Sequence, residues 1–464
     1  MSLSAALLCL LASQAVAAPA GGQDAAPVVQ DGIFQLPVFT VSAEEELAAS
    51  AGTTKRQVSA GLDNVKFGAR PAVALGTTIM VGTPPQKVIL EPDTGSSQLW
   101  VPGSHAAQPR VGDESVYFDR DASTSLKDLK KPSAASYGDK EWVLMNMVND
   151  NVAIGGKSMD KLNFGIGNMT SPHTTLGRLV GVMGLLPPSK ANKDVDFVPQ
   201  KLLDKKLVKT RAFSMGLRKK GQGLLTFGGY DTSKFSGSLE KLPLQLTKSR
   251  HSNRGGSYVV SVKSLSFTAS KGGSSETVLD DQSIKKPLTI GIDSGSPALA
   301  LKSTLLTIIQ DKLQGKLTGG LLQVGCDVVD ANAQLDFNMS DSTTISVPLS
   351  DMVIKKIDND KNCLLAIQAN DQVPAELWIG GHFLRRSLVV YDPDDSCIYV
   401  ARGADCGTSL VAIDGKMPAA AVKGKCSEEA VVAEKPDAGA AASIAALTPD
   451  QLSALLDPRI DVEE

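Results

Sequence analysis

The sequence predicts an all-β protein, mainly strands with short helices, folded as two similar lobes with a cleft between them. Three observations carry this expectation. First, an apolar run that takes an aspartate into a Gly-Ser turn and leaves it in a second apolar run occurs twice, at residues 88–102 and 288–301. Second, each copy is followed by an apolar-apolar-Gly element, Val182-Met183-Gly184 and then Trp378-Ile379-Gly380. These lie 91 residues beyond Asp93 and 87 beyond Asp293, the near-equal, lobe-sized distances of an internal duplication. Third, 42 glycines and no alternation of strand-like with helix-like segments fit a turn-rich β chain and argue against a nucleotide-binding α/β fold.

In the first copy, Val88 to Pro92 leads into Asp93-Thr94-Gly95-Ser96, and Leu99-Trp100-Val101 leads out. In the second, Leu288 to Ile292 leads into Asp293-Ser294-Gly295-Ser296, and Ala298 to Leu301 leads out. β-formers flanking a glycine read as strand, tight turn, strand. An aspartate between apolar strands is costly unless hydrogen-bonded or functional. One such tripeptide marks an ordinary turn. Two in matched surroundings point to one aspartate-bearing turn from each lobe on a shared cleft.

Other blocks accompany these turns: Gly82-Thr83-Pro84-Pro85-Gln86 before the first, Tyr137-Gly138-Asp139 beyond it, and Gly223-Leu224-Leu225-Thr226-Phe227-Gly228-Gly229-Tyr230-Asp231. Late in the chain come Phe383-Leu384-Arg385 and Val389-Val390-Tyr391-Asp392. With them the chain resembles the pepsin-like aspartic proteases, the secreted fungal ones in particular, over roughly residues 65–400. The resemblance implies a bilobal acid protease fold and an aspartic-type endopeptidase with no cofactor and no metal. It implies Asp93 and Asp293 as a catalytic pair. Thr94 and Ser294 would hydrogen-bond across the lobes, Ser96 and Ser296 would orient the carboxylates, and Gly95 and Gly295 would let the backbone donate to them. Tyr137, Gly138 and Asp139 would belong to the flap that closes over substrate, with Asp139 helping to accept a basic side chain. Pro92, Lys140-Glu141, Pro297 and Gly381 depart from the family's usual residues. A bridge between Cys326 and Cys363 is also implied. For the second pair Cys397 with Cys406 is favoured, Cys426 competes, and one thiol is left over.

In chain order, residues 1–18 read as a secretory signal, with an apolar core at residues 7–11 and Ala15-Val16-Ala17-Ala18 as a cleavage site. Residues 19–56 are polar, acidic and Ala-rich and end in Lys55-Arg56, which reads as a propeptide cut by a kexin-like protease. The N-terminal lobe is expected over 57–246, the C-terminal lobe over 247–406, and a linker with an acidic disordered tail over 407–464. The chain is −3 overall, yet residues 57–426 hold 43 basic and 36 acidic residues. The basic ones are scattered rather than clustered with aromatics, which argues against nucleic acid as a partner. No apolar terminal segment follows the tail, so no membrane anchor is expected. Asn168-Met169-Thr170 and Asn338-Met339-Ser340 are glycosylation acceptor patterns. The expected setting is extracellular, the expected partners are protein or peptide substrates, and the expected state is a monomer.

Competing chemistries fail on spacing. His105, His173, His251 and His382 show no metal-ligand pattern and read as surface or loop residues. No Gly-x-Ser-x-Gly elbow marks a serine hydrolase. Gly156-Lys157-Ser158 ends like a phosphate loop but has Asn151 where the earlier glycine is needed. Two function classes remain: a secreted acid endopeptidase, and a weak or inactive pepsin-fold binding or inhibitor protein.

Overall fold

The computed structural model describes residues 27–30, 32–40, 75–104, 117–137, 142–170, 181–188, 194–217, 223–245, 257–296 and 298–427. The leader, Lys55-Arg56, Gly138-Asp139, His105, His173, His251 and the tail from residue 428 lie outside these. Strands dominate, and the sequence shows why. Along Trp142–Ile154, Val143, Met145 and Met147 are buried while Leu144 between them faces solvent. This period-two pattern suits a strand with one face on a core.

The two lobes repeat one topology. In the first, Gln86–Asp93 pairs in parallel with Gly181–Gly184, which pairs antiparallel with Leu99–Pro102, which pairs in parallel with Lys157–Thr170. In the second, Thr289–Ile292 pairs in parallel with Leu377–Ile379, which pairs antiparallel with Leu299–Leu301, which pairs in parallel with Asn362–Ala369. Each apolar-apolar-Gly element is therefore the strand laid between the two arms of an aspartate turn. Side by side with these layers runs a platform of six strands: Phe235–Pro243, Cys397–Gly403, Ser387–Asp392, Phe213–Leu217, Gly223–Phe227 and Ile33–Thr40. A second sheet of the C-terminal lobe joins Ser275–Asp280, Ser264–Thr268, Gln334–Asn338 and Thr344–Pro348. Beneath the turns, Phe213 stacks on Tyr391 at 5.0 Å between ring centroids, and Tyr258 meets Tyr391 edge-on at 4.8 Å.

The platform revises the expected domain boundaries. Residues 33–40, expected within a removable propeptide, form a central strand paired with Gly223–Phe227, and Ile33, Phe34, Leu36 and Val38 are all buried. Ser387–Asp392 and Cys397–Gly403 return from the C-terminal half into the sheet of the N-terminal half, so a cut at 246/247 does not divide the strands cleanly. Residues 407–427, expected as a linker, belong to the fold. Leu410–Ala412 pairs with Gly229–Asp231, Ile413 and Met417 are buried, and Cys426 is bonded to Cys406. Cys397, expected to pair with Cys406, is instead a buried thiol pushed up to about 11, mainly by burial. His382 is likewise buried, in the short helix Gly381–Leu384, rather than at the surface. No helix among the described residues is long and apolar enough to cross a membrane.

A disulfide joins Cys326 to Cys363 across 37 residues. Replacing both by serine is expected to lower stability by about 2–4 kcal/mol, since the bridge restricts the unfolded chain. Urea unfolding of the double variant measures this directly. Asn338 is not the open acceptor its sequence pattern predicts. Its amide nitrogen donates to Ser264 Oγ and Ser266 Oγ, both at 2.9 Å, and its oxygen accepts from Thr344 Oγ1 at 2.7 Å. Asn168 is half-buried at the end of Lys157–Thr170.

Candidate active site

The two aspartate turns meet face to face at the junction of the lobes. Thr94 N–H donates to Ser294 Oγ and Ser294 N–H donates to Thr94 Oγ1, each at 2.9 Å. Thr94 Oγ1 in turn donates to the Ile292 carbonyl at 3.1 Å, and Ser294 Oγ donates to the Pro92 carbonyl at 2.6 Å. This is a reciprocal lattice of four hydrogen bonds in which both hydroxyls are buried, Thr94 at 1% and Ser294 at 0% exposure. Hydrogen bonds shielded from water and linked to one another hold their members to one geometry. Pro92 has no N–H to donate, but the lattice uses its carbonyl, so the ring is accommodated in Gln86–Asp93.

Each carboxyl group is held from its own turn and covered by the other. Gly95 N–H donates to Asp93 Oδ1 at 2.7 Å, and Gly295 N–H donates to Asp293 Oδ1 at 2.9 Å. A Cβ on Gly95 would lie 2.2 Å from Asp293 Oδ2, and one on Gly295 would lie 2.6 Å from Asp93 Oδ1. Only glycine lets the backbone come this close. Burial foremost, then the neighbouring Asp93 carboxyl, push Asp293 well above the ordinary carboxylate range, while N–H donors from Trp378 and Gly295 oppose the rise.

The serines expected to orient the carboxylates are placed otherwise. Ser296 Oγ donates to the Ala298 carbonyl at 2.9 Å, and buried Ser96 Oγ has no hydrogen-bond partner among the described residues. Asp293 Oδ2 instead accepts from the indole of Trp378 at 2.7 Å. The sequence marks Trp378 only as an apolar residue of its Trp-Ile-Gly element; its register opposite Gly291 appears only with the folded sheet. Glu91 stands in the sequence only as part of an otherwise apolar run. It is 2% exposed and two residues before Asp93, hence on the same face of its strand. Tyr137 accepts from Trp100 Nε1 at 2.7 Å and packs against Ala135, Val143, Met145 and Val182. Gly138 and Asp139, the rest of the expected flap signature, are not among the described residues.

The chain also matches known proteins. Residues 75–403 match the family described as eukaryotic aspartyl protease. The chain is similar to an acid protease of Saccharomycopsis fibuligera, 30% identical over 334 residues that cover 70% of this chain and 80% of the relative. It is also similar to candidapepsin-2 of Candida parapsilosis, 28% identical over 67% of this chain and 71% of the relative. A third relative is secreted aspartic protease 1 of Candida albicans, 27% identical over 82% of this chain and 93% of the relative. With more than half its length matched, and a bilobal β fold, the chain belongs to the eukaryotic aspartyl protease family and is an aspartic-type endopeptidase.

Proposed function

We propose that this enzyme is exported from the cell and cuts peptide bonds in proteins at acidic pH, with water activated between Asp93 and Asp293. The observation that carries the reading is the interlocking of the two aspartate turns, each carboxyl group covered by the glycine of the other's turn. Two carboxyl groups enclosed together in this way do not both ionise readily, so they share one proton. The charged member takes a proton from a water held between them, and the water attacks the peptide carbonyl. The neutral member hydrogen-bonds the developing oxyanion, and a proton then passes to the leaving nitrogen. Which carboxyl carries the resting proton is a property of the pair. The Thr94–Ser294 lattice keeps the pair from drifting apart, and Tyr137, held by Trp100, closes over substrate and excludes water. Asp139 favours a basic side chain in the cleavage pocket.

Export follows from the leader, and maturation from a cut after Lys55-Arg56 by a kexin-like protease. Protein or peptide substrates are the partners, and the enzyme acts as a monomer. Unfolded casein incubated with the enzyme across acidic pH is expected to be cleaved, and pepstatin is expected to stop the cleavage. No pepstatin-sensitive cleavage at any acidic pH, from protein cut after Arg56, overturns the proposal in favour of a binding protein.

A further inference from the structure

Among the described residues, Trp378 is the hydrogen-bond donor that reaches the aspartate pair from outside the two turns themselves. Its place is fixed on every side. Trp378 stands opposite Gly291 in the parallel pairing of Leu377–Ile379 with Thr289–Ile292, so both face the same side of the sheet as Asp293, two residues beyond Gly291. The indole lies flat on that glycine: a Cβ at residue 291 would fall 2.0 Å from Trp378 Cε3. Val259, Ala300 and Ala375 pack around it and leave it 9% exposed. From there Nε1 donates to Asp293 Oδ2 at 2.7 Å.

Among the described residues the first lobe has no counterpart. Its equivalent pair is Glu91 opposite Val182, and valine has nothing to donate. The hydroxyl that could have served Asp293 within its own turn, that of Ser296, is given to the Ala298 carbonyl. The support for the two aspartates is therefore lopsided, with an extra N–H on one side only.

We propose that Trp378 is a positioning residue, holding the carboxyl of Asp293 in register with Asp93 and setting the pH range over which the pair carries a single charge. The inference rests on the reading of Asp93 and Asp293 as the catalytic pair. Its physical basis is that an N–H donor to a carboxyl oxygen stabilises the charged form over the neutral one. Both macroscopic steps of the pair, loss of the first proton and of the second, are then drawn to lower pH by the indole. The other titratable groups around Asp293 are Asp93 on the opposing turn and Tyr391 from the strand below. Glu91 is buried on the strand of Asp93, and Glu376, two residues before Trp378, pairs with Lys286. The indole N–H donates to Asp293 and to none of these, so its removal takes no charged group from the surroundings of the pair.

The test is the pH dependence of kcat/KM, which reports the free enzyme's acid and base, for wild type, Trp378→Phe and Gly291→Ala. Trp378→Phe keeps an aromatic ring and removes the N–H. Gly291→Ala keeps the indole and places a methyl group where its ring now lies. Both variants are expected to move the acidic and alkaline limbs upward together, by about one pH unit, the size expected for a hydrogen bond to a charged group. A profile unmoved in either folded variant, with only a lower kcat or a lower Tm, makes Trp378 a packing residue and overturns the proposal. Absence of a pepstatin-sensitive profile in the wild type would instead overturn the catalytic pair on which it rests.

Discussion

Asp293→Asn is expected to abolish peptide cleavage, by about 10²- to 10⁴-fold or to the detection limit, while making the folded protein more stable at neutral pH. The loss follows because an amide neither takes nor gives the proton that the attacking water and the leaving nitrogen need. The gain follows from linkage. Asp293's folded-state pKa lies above its ordinary value of 3.8, chiefly because the carboxyl is desolvated and then because Asp93 repels its charge. A group raised in this way contributes stability that is full below the unfolded-state pKa and is lost as pH rises through the folded-state pKa. Asparagine of the same shape carries no such loss. The Tm difference between variant and wild type should therefore be small under strongly acidic conditions and grow in the variant's favour toward neutrality. Thermal melts at several pH values, read beside casein cleavage, measure both effects. Retained pepstatin-sensitive cleavage would remove Asp293 from the catalytic pair. A Tm difference that does not change with pH would show that its carboxyl is not charged at the expense of the fold.

Starting the chain at Gln57 is expected to prevent folding, although this is where the dibasic pair would place a mature terminus. The missing residues include Ile33–Thr40, an inner strand of the platform that pairs with Gly223–Phe227 over five residues and meets Leu75–Val81 on its other edge. Gln35 Nε2 also donates to Thr226 Oγ1 at 2.8 Å in the interior. Burying Ile33, Phe34, Leu36 and Val38 contributes roughly 1.5–3 kcal/mol each, on the order of 6–12 kcal/mol together. That is comparable to the whole stability of a typical domain. Full-length protein cut after Arg56 should behave differently, since the strand is already in its sheet. The short upstream piece is expected to remain bound through native size-exclusion chromatography and to separate only in denaturant. A chain beginning at Gln57 that folds with the Tm of the cut full-length protein would show the strand to be dispensable.

The aspartate turns were legible in the sequence because what makes them is local. Apolar β-formers, an aspartate and a close-packing glycine lie within a dozen residues, and the pattern is written twice. The hydrogen bonding of Thr94 with Ser294 was implied by the family resemblance, not by the repetition alone. Strand Ile33–Thr40 was hidden by its surroundings. Eight residues of strand in an acidic, Ala-rich stretch vanish in its average composition, and their partners at residues 223–227 lie far along the chain.

The same distance hid the rest. Cys406 found Cys426 rather than Cys397 because residues 407–427 fold back onto Gly229–Asp231, which no spacing of cysteines discloses. Ser296, read as a support for Asp293, had a nearer acceptor in the Ala298 carbonyl, and Trp378 took its place from a strand some 85 residues away. The sequence by itself determined the two lobes and the two carboxyl groups that meet between them, because short-range patterning and duplication specify those. Only the tertiary structure decided which donors hold the carboxyl groups, because a hydrogen bond goes to whichever partner the packed sheets bring within reach.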